Sequence, residues 1–259
     1  LDEYVISLAV SKENDLIAGL LNRTIKIWNG KTGELKRTLS GHSGWVSSLV
    51  VNDNNDLISG SSDYTIKIWN LKTGEVKRTL TGHSKEILSL TLGKNNELIS
   101  GSRDKSIKIW DLKTGEEKKT LTGHTGDVNA LIVNKNDELI SGGGLGDKTI
   151  KIWNLKTGEL KQTITGHNNS VTSLVINDEN ELISGSDDRT IKIWNMETGE
   201  LKRELIGPQW SVHSLVINQD NELICGSTYT TLTIWNMTTG EVKKSLNGHY
   251  GSVTSLAVN

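Results

Sequence analysis

The feature that most constrains the fold of this chain is a segment that recurs at a nearly fixed interval. The run Thr65–Asn70, TIKIWN, returns in close variants at intervals of 41, 41, 43, 41 and 41 residues. Its tryptophans are Trp28, Trp69, Trp110, Trp153, Trp194 and Trp235. A period this long and regular predicts a repeat architecture in which each copy folds as one supersecondary unit.

Each copy contains four short segments of β character separated by turn-forming residues. In the second copy, strands a, b, c and d are predicted over Val46–Val51, Leu57–Ser61, Thr65–Asn70 and Glu75–Leu80. The connections between them are polar or contain glycine, and they are too short for a parallel crossover. Each copy is therefore predicted to be a four-stranded antiparallel meander.

A single meander cannot bury both of its faces, so the copies must stack on one another. Six copies stacked around an axis form a β-propeller. We therefore predict an all-β fold, a β-propeller of six four-stranded antiparallel blades plus one extra C-terminal a-type strand. The predicted blades of this single domain, residues 1–259, span about 2–39, 44–80, 85–121, 126–164, 169–205 and 210–246, and the extra strand spans 250–258.

The extra strand leaves two architectures open. The chain has seven a-type segments but six of each other type, so Tyr4–Val10 or Val253–Val258 is left over when six blades close. Closure by the C-terminal copy would free Tyr4–Val10 to pair with another molecule. The alternative is a truncated seven-bladed propeller that lacks its last three strands.

The repeats resemble the tryptophan-aspartate (WD) repeat family over essentially the whole chain. The resemblance rests on in-phase copies of the pattern GH…SGS-D-TIKIWN, although Trp-Asp itself occurs in it only at Trp110-Asp111 and the other copies carry Trp-Asn. The near-uniform Lys-Thr-Gly-Glu turn resembles a bacterial-type or consensus-like amplified array.

The resemblance implies a hydrogen-bonded structural tetrad in the best-preserved copies. In blade 2 the matching residues are His42, Ser59, Asp63 and Trp69. The corresponding sets in blades 3 to 5 are His83, Ser100, Asp104 and Trp110; His124, Ser141, Asp147 and Trp153; and His167, Ser184, Asp188 and Trp194. Strand direction alternates, so the d–a and b–c connections emerge at one end of a blade and the His and Asp can meet.

Two blades depart from this pattern. Blade 1 has Ala18 and Asn22 at the Ser and Asp positions. Blade 6 has Pro208, Cys225 and Tyr229 in place of His, Ser and Asp. Two interpretations stay open. The tetrad residues have been lost by neutral drift where the ring closes, or these positions have been released for contact with a ligand.

Ser, His and Asp also form hydrolytic triads, but here they indicate a structural hydrogen-bond network. A nucleophilic Ser needs an exposed hydroxyl and an oxyanion hole, whereas four equivalent copies favour a repeated structural role. We therefore predict no catalytic residues and no enzyme. The six His have no paired ligand spacing, so no metal site and no cofactor are predicted.

Composition argues against several kinds of partner. Lys and Arg number 29 against 31 Asp and Glu, a net charge of −2, which gives no electrostatic case for nucleic acid. No apolar run approaches the length of a membrane span, so no membrane association is predicted. The single cysteine fits a reducing compartment, and we expect a cytoplasmic location.

The residues that differ between copies indicate a recognition surface. Apart from the six blade tryptophans, all aromatic residues fall in or beside d–a or b–c connections or their terminal equivalents, on blades 6, 1 and 2: Tyr4, Trp45, Tyr64, Trp210, Tyr229 and Tyr250. Blade 3 carries Lys85, Arg103 and Lys105 at comparable sites. Variation at one end of a regular scaffold suits recognition, and Tyr, Trp and Arg are enriched in binding hot spots.

We therefore expect a non-catalytic scaffold that binds a protein or peptide segment through the d–a and b–c end. The aromatic residues would anchor the partner, and the three basic residues would select acidic groups. The resemblance implies the same use of this end. Two alternatives stay open: a carbohydrate-binding propeller whose aromatics stack on sugars, and an architectural array that forms homo-oligomers through its spare terminal strand.

Overall fold

The described part of the chain consists of β-strands joined by turns and loops. The structure is a computed structural model that describes residues 4–94, 96–206, 210–228 and 231–257. Within these residues, 24 strands form six sheets of four strands each. The same residues contain no helix with the length and apolar character needed to cross a membrane. The chain divides into two compact units, residues 1–123 and 124–258.

The first unit contains blades 1 to 3. Blade 1 consists of β1 Val5–Val10, β2 Asp15–Leu20, β3 Ile25–Asn29 and β4 Leu35–Leu39. Blade 2 consists of β5 Val46–Val51, β6 Asp56–Ser61, β7 Ile66–Asn70 and β8 Val76–Leu80. Blade 3 consists of β9 Ile87–Leu92, β10 Glu97–Ser102, β11 Ile107–Asp111 and β12 Glu117–Leu121.

The second unit contains blades 4 to 6. Blade 4 consists of β13 Val128–Val133, β14 Glu138–Gly143, β15 Ile150–Asn154 and β16 Leu160–Ile164. Blade 5 consists of β17 Val171–Ile176, β18 Glu181–Ser186, β19 Thr190–Asn195 and β20 Leu201–Ile206. Blade 6 consists of β21 Val212–Ile217, β22 Glu222–Ser227, β23 Thr231–Asn236 and β24 Val242–Asn247.

The predicted fold class is confirmed: across the described residues, the fold is an all-β propeller with six four-stranded antiparallel blades. In blade 2 the observed strand ends lie within one residue of the predicted ones. β1 pairs with β2, so Tyr4–Val10 is not displaced from blade 1.

The extra strand predicted over 250–258 is not confirmed. None of the described residues from 250 to 257 is part of a strand. Instead, the segment packs against blade 6. The Val253 N–H donates to the Ser227 carbonyl at 2.9 Å, and the Leu256 N–H donates to Ser214 Oγ at 3.1 Å.

The apolar core of each unit lies between neighbouring blades. In the first unit, the rear face of blade 1 packs on the front face of blade 2. The rear face consists of Ile17, Ile25, Ile27 and Leu39, and the front face consists of Val46, Leu49, Leu57 and Trp69. The equivalent positions pack together between blades 2 and 3, 4 and 5, and 5 and 6. Each buried Ile or Leu contributes roughly 1.5–3 kcal/mol, so these interfaces hold the blades together.

A bulge and a glycine allow this close stacking. The ladder between β5 and β6 skips Ser47, whose hydroxyl donates to the Ile87 carbonyl of the next blade. At Gly60, an added Cβ would lie 2.5 Å from Ile87 Cγ2. Only glycine therefore lets the a-strand of blade 3 approach β6.

Candidate functional site

The structure brings the predicted tetrad residues of blade 2 into direct contact. His42 Nδ1 lies 2.8 Å from Asp63 Oδ2, and His42 Nε2 lies 2.7 Å from Ser59 Oγ. The indole N–H of Trp69 donates to the same Ser59 Oγ at 2.7 Å. The d–a connection, strand b, the b–c turn and strand c of one blade are thus joined by one chain of hydrogen bonds.

These hydrogen bonds are all satisfied by one tautomer of His42, with the proton on Nδ1, which then donates to the Asp63 carboxylate. In that tautomer Nε2 accepts the proton of Ser59, whose oxygen accepts from Trp69. Asp63 also accepts the backbone N–H groups of Ser43 and Thr65 at 2.9 and 3.0 Å. The b–c turn is therefore tied both to the d–a connection and to the start of strand c.

Blades 3 to 5 repeat the same geometry. In all three, the His–Asp, His–Ser and Trp–Ser distances lie between 2.7 and 2.9 Å. The residues involved are those predicted: His83, Ser100, Asp104 and Trp110; His124, Ser141, Asp147 and Trp153; and His167, Ser184, Asp188 and Trp194.

The tetrad carboxylates are held in their charged form. Burial alone would raise the pKa of Asp63, but hydrogen bonds from His42, Thr65 and Ser43 outweigh it and hold that pKa well below its usual range. Asp104 and Asp147 behave alike, and the pKa of Asp188 falls to about 2. Burial lowers the pKa of His167 despite its bond to Asp188, which favours the neutral ring.

The arrangement resembles a triad in connectivity but has no access for a substrate. Ser59, Ser100, Ser141 and Ser184 have no solvent-exposed surface, and each oxygen already accepts an indole N–H. A nucleophile needs an open approach to its oxygen and donors for the developing oxyanion. These serines therefore act as hydrogen-bond relays inside the blades.

Blades 1 and 6 use other residues at these positions. Ala18 is buried and offers no acceptor, and Asn22 Oδ1 accepts the Thr24 N–H and hydroxyl at 3.2 and 2.7 Å. In blade 6, Trp235 donates to Thr233 Oγ1 at 3.0 Å instead of to a serine. Burial raises the pKa of Cys225 to about 12, so its thiol stays protonated. Pro208 and Tyr229 lie outside the described residues.

The d–a and b–c connections emerge at the same end of each blade. In blades 1 to 3, one backbone hydrogen bond joins the two connections: Leu21 N–H to Tyr4, Ser62 N–H to Trp45 and Arg103 N–H to Glu86, at 2.9–3.0 Å. In blades 2 and 3 the tetrad His and Asp lie in these same two connections, so the buried tetrad fixes the backbone that carries the variable residues. We call this surface of blades 1 to 3 the recognition end.

The predicted aromatic residues at these connections are exposed. Trp45 is 37% exposed and Tyr64 is 46% exposed. Across the described chain, the exposed aromatic side chains are those predicted for partner binding: Tyr4, Trp45, Tyr64, Trp210 and Tyr250. The first three lie in the first unit and the other two in the second. Tyr229 lies outside the described residues.

The predicted basic residues are exposed on blade 3, but one of them has a partner. Lys85, Arg103 and Lys105 all face solvent. The Arg103 guanidinium pairs with Glu86 Oε1 at 3.0 Å, so part of its charge is already balanced. An exposed pair of this kind contributes little to stability, roughly 0–1 kcal/mol, so it can open for a ligand.

The backbone reveals a signal that sequence reasoning missed. The a–b turns place Asn or Asp at their positive-φ position, as at Asn55, and the c–d turns place Gly there, as at Gly74. In blades 1 to 5 the b–c turns instead place long side chains there: Arg23, Tyr64, Lys105, Lys148 and Arg189, with φ between 64° and 75°. A left-handed conformation costs such residues roughly 1–2 kcal/mol each.

Aligning the residue after each tetrad Asp would have revealed this choice. Arg23, Lys148 and Arg189 were not among the predicted partner-binding residues, yet they occupy the same turn position as Tyr64 and Lys105 and are likewise exposed. Of the three turn types, only the b–c turns hold long side chains in the left-handed conformation. Backbone strain of this kind is concentrated at functional sites.

No group of three or more His, Cys, Asp or Glu side chains within the described ranges is placed to hold a metal ion. Comparison with family models gives a match to the WD domain, G-beta repeat. It covers residues 33–70, 74–111, 115–154 and 158–195, well over half of the chain. No curated protein matches the chain.

Proposed function

The chain belongs to the WD40 repeat family, and we propose that it is a non-catalytic scaffold that binds a peptide or protein segment at its recognition end. WD40 propellers are commonly protein-interaction scaffolds without enzymatic activity, and they typically bind proteins or peptides. The proposal concerns which end of the blades is used and which residues bind.

One observation carries the proposal: every exposed aromatic side chain in the described residues lies beside a d–a or b–c connection. Exposed Trp and Tyr supply large contact areas at low entropic cost, and they dominate binding hot spots. The strained b–c turns support the same surface, because a purely structural turn would favour Gly or Asn.

Trp45 and Tyr64 are the anchors that we assign on blade 2. They lie on the d–a and b–c connections that are joined by the backbone bond from Ser62 to Trp45. Lys85 and Lys105 on blade 3 add positive charge next to this pair, because blades 2 and 3 pack together through their shared core. The partner that best fits this surface is a segment with an apolar or aromatic residue followed by acidic groups.

The test is a binding measurement with a defined peptide. A displayed random-peptide library is selected on the whole immobilised chain, and one synthetic binder is titrated calorimetrically against the wild type. The double variant Trp45→Ala/Tyr64→Ala is expected to weaken its Kd by roughly 30-fold or more, because truncating hot spots costs about 2 kcal/mol or more. Lys85→Ala/Lys105→Ala is expected to weaken binding less and to reduce its salt dependence.

The matched control is Lys72→Ala/Lys113→Ala, which removes two exposed lysines from the c–d turns of the same two blades. This variant is expected to bind the peptide like the wild type. Melting temperatures establish that each variant is folded. Full affinity in a folded Trp45→Ala/Tyr64→Ala variant would contradict the proposal, and binding of glycans but no peptide would replace it with a carbohydrate-binding function.

A further inference from the structure

A pocket recurs between neighbouring blades at the end formed by the a–b and c–d turns. It occurs between blades 1 and 2, 4 and 5, and 5 and 6, in each case within one compact unit. The first two pockets are lined by equivalent residues, so they can be compared position by position. The pairs that carry the comparison are Lys36 and Lys161, Arg37 and Gln162, and Lys72 and Glu197.

An arginine on strand d occupies this pocket in blades 1 and 5. The Arg37 guanidinium donates to the carbonyls of Lys72 and Thr73 in the c–d turn of blade 2, at 2.8 and 2.7 Å. Arg203 donates in a similar way to two carbonyls of the c–d turn of blade 6, at 3.0 and 3.1 Å. These copies show that the carbonyl oxygens of a c–d turn can accept a guanidinium from the side of the preceding blade.

Blade 4 has Gln162 at this position, and its side chain is too short to make the same contact. A Cβ added to Gly199 would lie 2.2 Å from Gln162 Nε2, whereas at Gly74, the equivalent glycine, the nearest atom is Arg37 Cδ. The amide of Gln162 therefore ends where the arginine stem passes, before it reaches the turn carbonyls.

The pocket between blades 4 and 5 consequently has more room and has unused acceptors. Its volume is about 560 Å³, against about 360 and 290 Å³ for the two pockets that contain arginine. The carbonyls of Glu197 and Thr198 correspond to the two that accept Arg37. Within the described chain, neither of them accepts a hydrogen bond.

The charge of this pocket differs in the same sense. Glu197 stands where the c–d turns of blades 1 to 4 carry lysine: Lys31, Lys72, Lys113 and Lys156. The other acidic side chain of the pocket, Glu138, pairs with Lys161. Glu197 is exposed and forms no ion pair with any described residue. Two departures from the repeat, on strand d of blade 4 and on the next c–d turn, thus make one pocket both larger and more acidic.

We propose that this pocket binds the guanidinium of an arginine side chain from a partner protein or peptide segment. The arginine donates to the carbonyls of Glu197 and Thr198, as Arg37 does to their counterparts, and its charge pairs with the Glu197 carboxylate. Met196, which is 7% exposed, lines the pocket and packs against the methylene stem. The planar fork of a guanidinium suits two neighbouring acceptors better than an ammonium does.

The lining of the pocket favours an arginine within a polypeptide over the free amino acid. Free arginine carries a carboxylate, which needs a cation of its own. Among the described lining residues that cation is Lys161, and Glu138 already pairs with it. The a–b and c–d turns of blades 4 and 5 form this site, whereas the other connections of blades 1 to 3 form the recognition end, so neither proposal rests on the other.

The test is a titration of the whole chain with the capped peptide acetyl-Gly-Gly-Arg-Gly-Gly-amide, followed by NMR at the backbone N–H groups of residues 196–199. Matched peptides carry citrulline or lysine in place of arginine. Citrulline keeps N–H donors without the charge and is expected to bind roughly tenfold more weakly or worse, since charge-assisted hydrogen bonds are the stronger ones. The lysine peptide is also expected to bind more weakly, because one ammonium does not span two carbonyls as a fork does. Equal binding of all three peptides overturns the proposal.

Two variants test the assigned residues. Gln162→Arg restores the guanidinium of the repeat, so it is expected to weaken the Kd of the arginine peptide by roughly tenfold or more. The same variant is expected to melt roughly 2–4 °C higher, because the new side chain donates to the turn carbonyls. Glu197→Gln is expected to weaken the Kd by roughly tenfold, since the carboxylate charge is lost.

The control is Glu200→Gln, which neutralises an exposed carboxylate of the same turn that does not line the pocket. It is expected to bind the arginine peptide like the wild type, and a loss equal to that of Glu197→Gln overturns the proposal, because general attraction then explains binding. Full affinity in a folded Gln162→Arg variant also overturns it. Free L-arginine binding as tightly as the peptide overturns the assignment to a polypeptide partner. Trp45 and Tyr64 are intact in every variant, so these outcomes leave the recognition end untouched.

Discussion

The hydroxyl of Ser59 joins Trp69 and His42 in the middle of blade 2, where it has no exposed surface. The identity of these residues could be predicted from their spacing together with the family resemblance. The distances between these side chains could not, because they depend on how the strands of the folded blade pack. Nor could the sequence show that Trp235 would use Thr233 when serine is replaced by Cys225.

Replacing Ser59 with Ala is expected to destabilise the chain by about 1–3 kcal/mol for each buried group that loses its partner, His42 Nε2 and the Trp69 N–H. Denaturant unfolding measures the loss. Blade 6 suggests the rescue: Thr233 occupies the position of Lys67, so adding Lys67→Thr is expected to restore about 1 kcal/mol. Ser84→Ala, at an exposed residue, is the control, and an equal loss there would contradict the role of the tetrad.

Acid is expected to destabilise the chain through the tetrad carboxylates. The pKa of Asp188 is lowered from 3.8 to about 2, so its stabilising contribution is present above pH 4 and is lost as the pH falls through about 2. The loss corresponds to about 2 kcal/mol for this residue. Urea unfolding between pH 6 and pH 1.5 measures it.

In the Asp188→Asn variant, the decline of stability toward low pH is expected to be shallower, because one titrating group has been removed. Asp178→Asn, which changes a side chain that is 95% exposed, is expected to keep the wild-type profile. An Asp188→Asn profile as steep as that of the wild type would show that this carboxylate does not link folding to pH.

At the scale of the element, each strand is bounded by turn-forming residues that can be recognised in the sequence. The predicted limits of β5 to β8 were accurate because Asn-rich and Gly-containing turns separate short β-type runs. The bulges were not predicted, since Ser47 looks like any other strand residue until the next blade is placed beside it. The positive φ angles of the b–c turns were also missed, because a long side chain in a turn does not by itself indicate a left-handed backbone conformation.

Replacing Lys105 with Gly is expected to stabilise blade 3 by about 1 kcal/mol, because φ at this residue is 72° and glycine adopts that conformation without strain. The same variant is expected to lose affinity for an acidic peptide. Asn55→Gly, at a φ of 58°, is the control and should change stability less, since Asn tolerates the left-handed region. Chemical denaturation of both variants checks the prediction, and a less stable Lys105→Gly variant would contradict it.

At the scale of the whole molecule, the period of about 41 residues was sufficient to predict the six stacked meanders. It could not predict that the described residues from 250 to 257 would lie outside any strand, because residues 253–258, VTSLAV, match residues 5–10, VISLAV, of β1 at five of six positions.

The central claim is that the buried tetrads hold one end of the blades rigid so that its variable residues can bind a partner. The most direct measurement is amide hydrogen exchange on the whole chain, with and without the selected peptide. The claim predicts added protection in the d–a and b–c connections of blades 2 and 3, residues 43–46, 62–65, 84–87 and 103–106. Protection confined to the opposite turns, residues 52–55, 72–75 and 113–116, would contradict it.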